Sequence, residues 1–404
     1  MITLSREHLQ HNKSLLALTS IIFLTVTVYV AHWAALAQNA TTSTGTSAVL
    51  EASKLVDRSH NLAIGPPSVL QSFFFLFAPL VVLTLAIQLN RDELKRTLFL
   101  IISLATISGI FGVLQLAGSA DGALYFYRIT NSGSAVGLFA NRNHAAVFLA
   151  CAFPLLAAVA AMMHADRPRG WNFWRLLTVA IAIVFAPLIL VTGSRSGMIA
   201  GIIGLFGGAL LYTCHVRTRL QPQNIKSFAP FLAAATILGP VFATIYFSRA
   251  AALDRFFAEP NDANDRADFW ISSVQMFWQY FPFGFGPGSF VPAFQVEEPL
   301  ELLSGEYLNR LHNDWLEIVL TFGVPGIVLT LIGAVFYFHR SFMLWMRMDG
   351  TRTGVLLGRM ASIIILILAT ASVSDYPLRT PAMAGFAALV LVWFAHARRK
   401  PVPH

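Results

Sequence analysis

Apolar residues occur in long runs along most of the chain, and short polar segments separate the runs. An α-helix of about 20 apolar residues crosses the ~30 Å hydrocarbon core of a bilayer. Ten such runs are present, at residues 14–37, 69–89, 97–117, 145–163, 176–194, 196–213, 228–247, 314–338, 360–375 and 381–397. We therefore expect an all-α polytopic membrane protein that forms a single membrane domain over residues 1–404.

Composition supports the same class. The chain is 56% hydrophobic and 12% charged, and its mean hydropathy is +0.64. Soluble domains carry about 25% charged residues, so a soluble globular protein is excluded.

The placement of Lys and Arg predicts which side of the membrane each polar segment faces, because cytoplasmic loops are enriched in both. With a cytoplasmic N-terminus, the inside segments hold 18 of the 28 basic residues and only 5 of the 20 acidic ones. The net charge is then +13 inside and −5 outside. The overall charge of +8 thus reflects topology, and no basic patch interleaved with aromatic residues indicates nucleic-acid binding.

The first apolar run has two interpretations. Arg6 and Lys13 precede it, and Ala35-Leu-Ala37 resembles a signal-peptidase site. The run is longer than the usual 7–15 residues of a signal-peptide core, which favours an uncleaved anchor over a cleaved signal. In either case the next segment begins outside.

Three long segments are expected on the external side, at residues 38–68, 118–144 and 248–313. The first is an N-terminal loop with a Ser/Thr-rich beginning. The last has about 65 residues, too many for a plain connector, and such loops commonly carry function. We expect this long loop to form part of the active site.

The long loop contains one predicted helix, Arg266–Tyr280. Its residues Trp270, Val274, Phe277 and Trp278 follow helical spacing and predict one apolar, aromatic face. Such a helix is expected to lie in the membrane interface. The glycine-rich sequence at 282–288 would end it in a tight turn.

Arg195 lies between two apolar runs, in Thr192-Gly-Ser-Arg-Ser-Gly197, so it is expected at the outer turn of a helical hairpin. A guanidinium binds phosphate oxygens in a bidentate manner, and the Ser194 and Ser196 hydroxyls would be further donors. The alternative is an arginine that caps the turn or reaches toward the headgroups.

Arg266 would be a second guanidinium for the same phosphate-bearing ligand; alone, it would be a solvated loop charge. Asp262, Asp265 and Asp268 lie beside it, but their spacing matches neither a calcium loop nor a D-x-D motif. We expect these acids to pair with Arg266 and to stabilise the helix N-terminus. The sequence therefore predicts no metal site and no cofactor.

His312 begins the polar sequence His312-Asn-Asp314 at the entry of the eighth predicted span. A neutral imidazole there would accept a proton from an attacking hydroxyl, whereas Asn313 and Asp314 also suit the N-cap of a helix. Position alone leaves a substrate-binding role and a capping role open. The same two interpretations apply to three residues before the fourth span: Asn141, Asn143 and His144.

Two further carboxylates belong to the predicted spans. Asp375 is expected near the outer end of the ninth span, and Glu317 lies one turn into the eighth. Charged groups at this depth require partners, and Arg195 or Arg379 would serve for either.

Four groups of residues follow one another in a set order. They are Gly137-Leu-Phe-Ala-Asn-Arg-Asn-His144, the Thr192–Gly197 hairpin, Arg266-Ala-Asp-Phe-Trp270 leading into Pro282-Phe-Gly-Phe-Gly-Pro-Gly288, and His312-Asn-Asp-Trp-Leu316 with Gly323-Val-Pro-Gly326. As an ordered set they resemble the O-antigen ligase and polysaccharide polymerase family of bacterial envelope proteins. The resemblance covers roughly residues 95–340. Members often have about twelve spans, so we expect between ten and twelve.

The resemblance implies a metal-independent, inverting glycosyltransferase in the bacterial inner membrane, with its active site facing the periplasm. The donor would be a glycan on undecaprenyl diphosphate, and the acceptor a hydroxyl of lipid A–core or of a growing polysaccharide. By the same resemblance, Arg195 and Arg266 would hold the diphosphate, and His312 would be the general base or would position the acceptor. The expected partners are this donor, the acceptor and membrane lipids.

Two other classes remain open. A secondary transporter of an anionic or glycan-lipid substrate would explain ten spans and buried charges, although its sites should lie near the bilayer midplane. An intramembrane hydrolase would use Ser194 or Ser196 with His312, although these serines lack the spacing of a nucleophile elbow.

Overall fold

The computed structural model describes residues 74–120, 122–166, 173–217, 269–270, 273–298, 309–346 and 353–396, and all regular structure in these ranges is helical. The helices are α1 (Phe77–Ile87), α2 (Arg91–Ala117), α3 (Arg142–Asp166), α4 (Phe173–Val191), α5 (Arg195–Arg217), α6 (Phe290–Glu297), α7 (Asp314–Trp345), α8 (Thr353–Ala371) and α9 (Pro381–His396). Residues 273–279 are also helical, and Pro377–Arg379 form a 3-10 turn. The all-α prediction is confirmed for this part of the chain.

Eight of the ten predicted spans overlap helices. The other two, 14–37 and 228–247, lie outside the described residues, as does the loop 38–68. Among the described residues, α2, α3, α5, α7 and α8 contain segments long and apolar enough to cross a membrane, and three shorter helices are also apolar. Together they indicate a multi-pass membrane protein.

The eighth and ninth predicted spans differ from the structure in ways that affect the candidate site. The ninth was expected at 360–375, but α8 covers Thr353–Ala371, so Asp375 follows the helix. The predicted start of this span was too late because Arg359 is charged and yet lies inside α8. Its Nε donates to the Leu344 carbonyl at 3.0 Å, and its guanidinium lies over the Trp345 ring. The eighth span continues to Trp345, with a kink at Gly323.

The chain divides into two compact units. Unit 1 contains Met1–Val82, Pro260–Phe338 and Ser372–Gly385, and unit 2 contains Leu83–Glu259, His339–Ala371 and Phe386–His404. Unit 1 therefore holds the His312 sequence and unit 2 holds Arg195.

In unit 2, α3 and α5 pack closely through small residues. A Cβ atom on Gly204 would lie 2.5 Å from the Ala150 carbonyl oxygen, and Gly197 packs directly on Ala146. Small residues let helix backbones approach each other, which favours helix association in a membrane. Because α5 begins at Arg195, this packing holds Arg195 near the first turn of α3.

In unit 1, the described part of the long loop has an aromatic core. Its buried members are Met276, Tyr280, Phe285, Phe290, Ala293, Phe294, Leu311 and Leu320. The Trp270 indole N–H donates to the Leu311 carbonyl at 3.0 Å, which links the loop to the residue before His312. By contrast, Val274 and Trp278 are exposed, so the single apolar face predicted for this helix divides between the core and the surface.

The glycine-rich turn at 282–286 is bound to the kink of α7. Gly323 has φ 57° and ψ −136°, which interrupts the helical hydrogen bonds. The Val324 N–H donates to the Pro282 carbonyl at 2.7 Å, and the Phe285 and Gly286 N–H groups donate to carbonyls of α7 at 3.1 and 3.0 Å. Backbone groups away from water need such partners. We call this contact, residues 282–286 against 320–324, the backbone clasp.

Candidate active site

Asn313 is the N-cap of α7. Its Oδ1 accepts the Leu316 N–H at 3.0 Å, and its carbonyl accepts the Glu317 N–H at 3.0 Å. The capping interpretation of this residue is therefore the one that the structure supports.

Asp314 joins the start of α7 to the segment between α8 and α9. Its carboxylate accepts from the Ser372 hydroxyl at 3.0 Å and from Arg379 Nε at 3.1 Å. Its backbone N–H donates to the Ser372 carbonyl at 2.9 Å. Both Asp314 and Ser372 are buried, so these contacts fix the beginning of α7 in place.

Glu317 extends this arrangement into a network of ion pairs. Its Oε1 lies 2.9 Å from Arg310 Nη1 and 3.2 Å from Arg379 Nη1, and its other oxygen accepts the Leu311 N–H at 3.3 Å. Glu317 is buried, and the predicted pairing with Arg379 is confirmed. With Asp314, the network has two carboxylates and two guanidinium groups, so its charges balance.

His312 belongs neither to the cap nor to this network. Its backbone has φ 53°, a left-handed conformation that costs a residue with a side chain about 1–3 kcal/mol. The imidazole is 26% exposed, and its Nδ1 lies 3.5 Å from Asp375 Oδ1. Its ring also meets Tyr376 edge to face, with centroids 5.0 Å apart. The side chain is thus held on one side and open on the other.

The contact of Asp375 with His312 was missed in the sequence, where an arginine was expected as partner. Asp375 is fully buried, and its Oδ1 also accepts the Tyr376 N–H at 2.9 Å. A signal was present: the ninth span ends, and the eighth begins, on the same predicted side of the membrane. Polar residues at two such ends are candidates for contact.

The predicted hairpin around Arg195 is confirmed, with α4 and α5 joined by the turn at 192–194. Gly193 has φ +66°. Ser194 Oγ accepts the Gly197 N–H at 2.9 Å and lies 3.2 Å from Ser196 Oγ. Both serines are buried, so their hydroxyls serve the turn, while Arg195 is exposed.

Asn141 caps α3, since its Oδ1 accepts the Asn143 N–H at 2.8 Å. His144, in the first turn, is buried, whereas Asn143 is half-buried. The loop before α3 is held by Gln115, whose Oε1 accepts the Gly137 N–H at 2.7 Å and whose Nε2 donates to the Gly137 carbonyl at 3.0 Å. A lone glutamine in an apolar run was the sequence signal for this role.

The predicted site residues thus fall into two groups. Unit 1 holds His312, Asn313 and Asp314, and unit 2 holds Asn141, Asn143, His144, Ser194, Arg195 and Ser196. Arg266 and the three nearby acids Asp262, Asp265 and Asp268 lie outside the described residues, so convergence of Arg195, Arg266 and His312 stays a prediction. Within the described ranges, no group of three or more His, Cys, Asp or Glu side chains is placed to hold a metal ion.

Comparison with protein families identifies a domain in the middle of the chain. Residues 187–331 match the family model described as O-Antigen ligase. The matched segment contains Arg195, Arg266 and His312, and it ends beyond the kink of α7. No curated protein matches the chain. The predicted resemblance to this family is therefore confirmed for residues 187–331.

Proposed function

We propose that this protein is a membrane glycosyltransferase of the O-antigen ligase type, which transfers a glycan from undecaprenyl diphosphate to an acceptor hydroxyl. The reaction would take place at the periplasmic face of the bacterial inner membrane. The family match supports glycan transfer in general. The observation that carries the proposal is the environment of His312, a strained and partly exposed imidazole beside a buried carboxylate.

His312 would act as the general base. The Asp375 carboxylate lies on the Nδ1 side of the ring, and a carboxylate there favours a proton on Nδ1 and a lone pair on Nε2. Nε2 would then accept the proton of the acceptor hydroxyl, and Asp375 would stabilise the imidazolium that forms. We assign Asp375 a positioning role, and Asn313 and Asp314 the support of the backbone around His312.

Arg195 and Arg266 would stabilise the leaving group. The acceptor oxygen forms a bond to the anomeric carbon while the bond from that carbon to the phosphate oxygen breaks, which inverts the configuration. The electron pair of the broken bond remains on the diphosphate. Fixed guanidinium groups stabilise this developing charge without a divalent cation.

The remaining predicted binding residues divide by their contacts. Ser194, Ser196 and Asn141 serve the starts of α5 and α3, so their contribution would be to shape the site. Asn143 is half-buried at the head of α3 and stays a candidate for direct contact with the glycan, with His144 behind it.

The test uses purified full-length protein in detergent with radiolabelled glycan on undecaprenyl diphosphate, with lipid A–core and with polysaccharide as separate acceptors. We expect label to appear on one acceptor, with release of undecaprenyl diphosphate. Free labelled glycan without acceptor dependence would indicate a hydrolase. In proteoliposomes, movement of intact donor without cleavage would indicate a transporter, and either result would contradict the proposal.

A further inference from the structure

Arg142 is the charged residue of the Gly137–His144 motif, and the proposed function leaves it without a role. It is the first residue of α3, and its backbone N–H donates to Asn131 Oδ1 at 2.9 Å. The Ala140 carbonyl accepts from the Asn131 N–H at 3.2 Å and from the Thr130 hydroxyl at 2.9 Å. The head of α3 is thus anchored to the loop that precedes it.

The Arg142 side chain extends from α3 to the turn in front of α5. A Cβ atom on Gly193 would lie 4.0 Å from Arg142 Nη1. The first turns of the two helices are also in contact, because Gly197 packs on Ala146. The guanidinium of Arg142 therefore lies beside the turn that leads into Arg195.

This part of unit 2 contains basic side chains and no acidic ones. Residues 122–144 and 192–197 include Arg128, Arg142 and Arg195 but no Asp or Glu. Among the residues that the structure describes, Arg142 forms no ion pair. It is half-buried, and a charge partly removed from water is stabilised by a counter-ion. An anionic ligand would supply one.

We propose that Arg142 is a further anion-binding residue, which holds a phosphate oxygen of the donor diphosphate together with Arg195. This rests on the proposed function, because the diphosphate is the anion that the function brings to the site. A guanidinium matches two phosphate oxygens with its planar fork. The starts of α3 and α5 contribute the positive ends of two helix dipoles to the same region.

Binding of undecaprenyl diphosphate to the full-length protein in detergent tests the proposal, with undecaprenol as the uncharged comparison. We expect Arg142→Ala and Arg142→Gln to raise the Kd for undecaprenyl diphosphate at least tenfold, and Arg142→Lys to raise it less. The Kd for undecaprenol should stay within twofold, because a purely structural defect would weaken both ligands. Arg128→Ala is the matched control, since Arg128 is exposed in the same loop, and it should change neither Kd.

Size-exclusion elution and thermal melting identify a misfolded variant. If Arg142→Ala misfolds, Arg142→Gln and Arg142→Lys decide. An unchanged Kd in the Arg142 variants, with wild-type protein that binds and transfers, would overturn the role of Arg142 and leave the proposed function standing. Wild-type protein that neither binds undecaprenyl diphosphate nor transfers glycan would overturn both.

Discussion

The two regions that carry the family motifs differ in how their charges are balanced. In unit 1, the buried carboxylates at the start of α7 are bound by Arg310 and Arg379. In unit 2, Arg142 and Arg195 stand at the starts of α3 and α5, in segments without an acidic residue. Among the described residues, the carboxylates at the start of α7 are paired with arginines, whereas residues 122–144 and 192–197 carry arginines and no carboxylate.

This difference separates two kinds of chemistry. A balanced network needs no further ion, so its function is to fix geometry, and it fixes the backbone on which His312 lies. A region whose segments carry guanidinium side chains but no carboxylates favours an anion. In the proposed mechanism, proton transfer therefore belongs to the His312 side and phosphate binding to the arginine side, and each prediction below changes one side of this comparison.

Replacing His312 should have the largest effect. In His312→Ala the proton acceptor is lost, so turnover should fall by ~10²–10⁴-fold while binding of undecaprenyl diphosphate persists. Arg195→Ala should weaken that binding as well, by ~2–5 kcal/mol if the bound diphosphate displaces water from the guanidinium. Arg195→Lys should restore little because an ammonium lacks the fork. Transfer rates and Kd values of the three variants separate the two roles.

Two outcomes would contradict this assignment. Full transfer by His312→Ala would remove the general base and leave only phosphate binding. Loss of undecaprenyl diphosphate binding in His312→Ala, with an unchanged melting temperature, would place the imidazole on the phosphate side of the comparison.

Removal of Arg379 should cost the most stability. Arg379 contacts both Asp314 and Glu317, and breaking a buried ion pair from one side costs ~3–5 kcal/mol because it leaves charge unpaired. Arg379→Ala should lower the free energy of unfolding by that amount, measured by denaturant unfolding in detergent. Arg128→Ala, at an exposed site, should change it by less than ~0.5 kcal/mol. Equal effects in the two variants would mean that the network contributes little.

Much of this fold could be predicted from the sequence because membrane spans follow from apolar length. Eight predicted runs are helices, and the hairpin at Arg195 lies where its polar interruption indicated. The errors arose where side chains meet partners distant in sequence. The charged Arg359 is accommodated within α8 because its guanidinium contacts the Leu344 carbonyl and the Trp345 ring. A hydropathy profile does not show such contacts.

Residue type and position made His312 and Arg195 candidates for the site, and their roles stay predictions. The positive φ of His312 and its contact with Asp375 depend on tertiary packing, so the sequence could not indicate them. Nothing in the sequence distinguishes Arg142 from its neighbours at the start of α3. Its position beside Gly193 depends on the packing of α3 against α5.

The backbone clasp offers a smaller test, on the unit 1 side. Gly323 has φ +57°, and a Cβ atom there would collide with the Pro282 carbonyl oxygen. Gly323→Ala should therefore destabilise the protein by at least ~1–2 kcal/mol from backbone strain alone. Gly333 is the matched control in the same helix, because nothing lies within 4 Å of its added Cβ. Gly333→Ala should stabilise by ~0.5–1 kcal/mol, and equal melting temperatures would show that the clasp is dispensable.

Removal of divalent metal should have the smallest effect on turnover. It tests whether the carboxylates of unit 1 are neutralised by arginines and not by a metal ion. The carboxylates of unit 1 would suit a cation if they were unengaged, but Asp314 and Glu317 are bound by arginines, and Asp375 faces His312. The leaving diphosphate is stabilised by guanidinium groups in the proposed mechanism, so EDTA should leave turnover within twofold. Activity lost in EDTA and restored by magnesium or manganese would contradict the division between a neutral and a cationic region, and would direct attention to Asp262, Asp265 and Asp268.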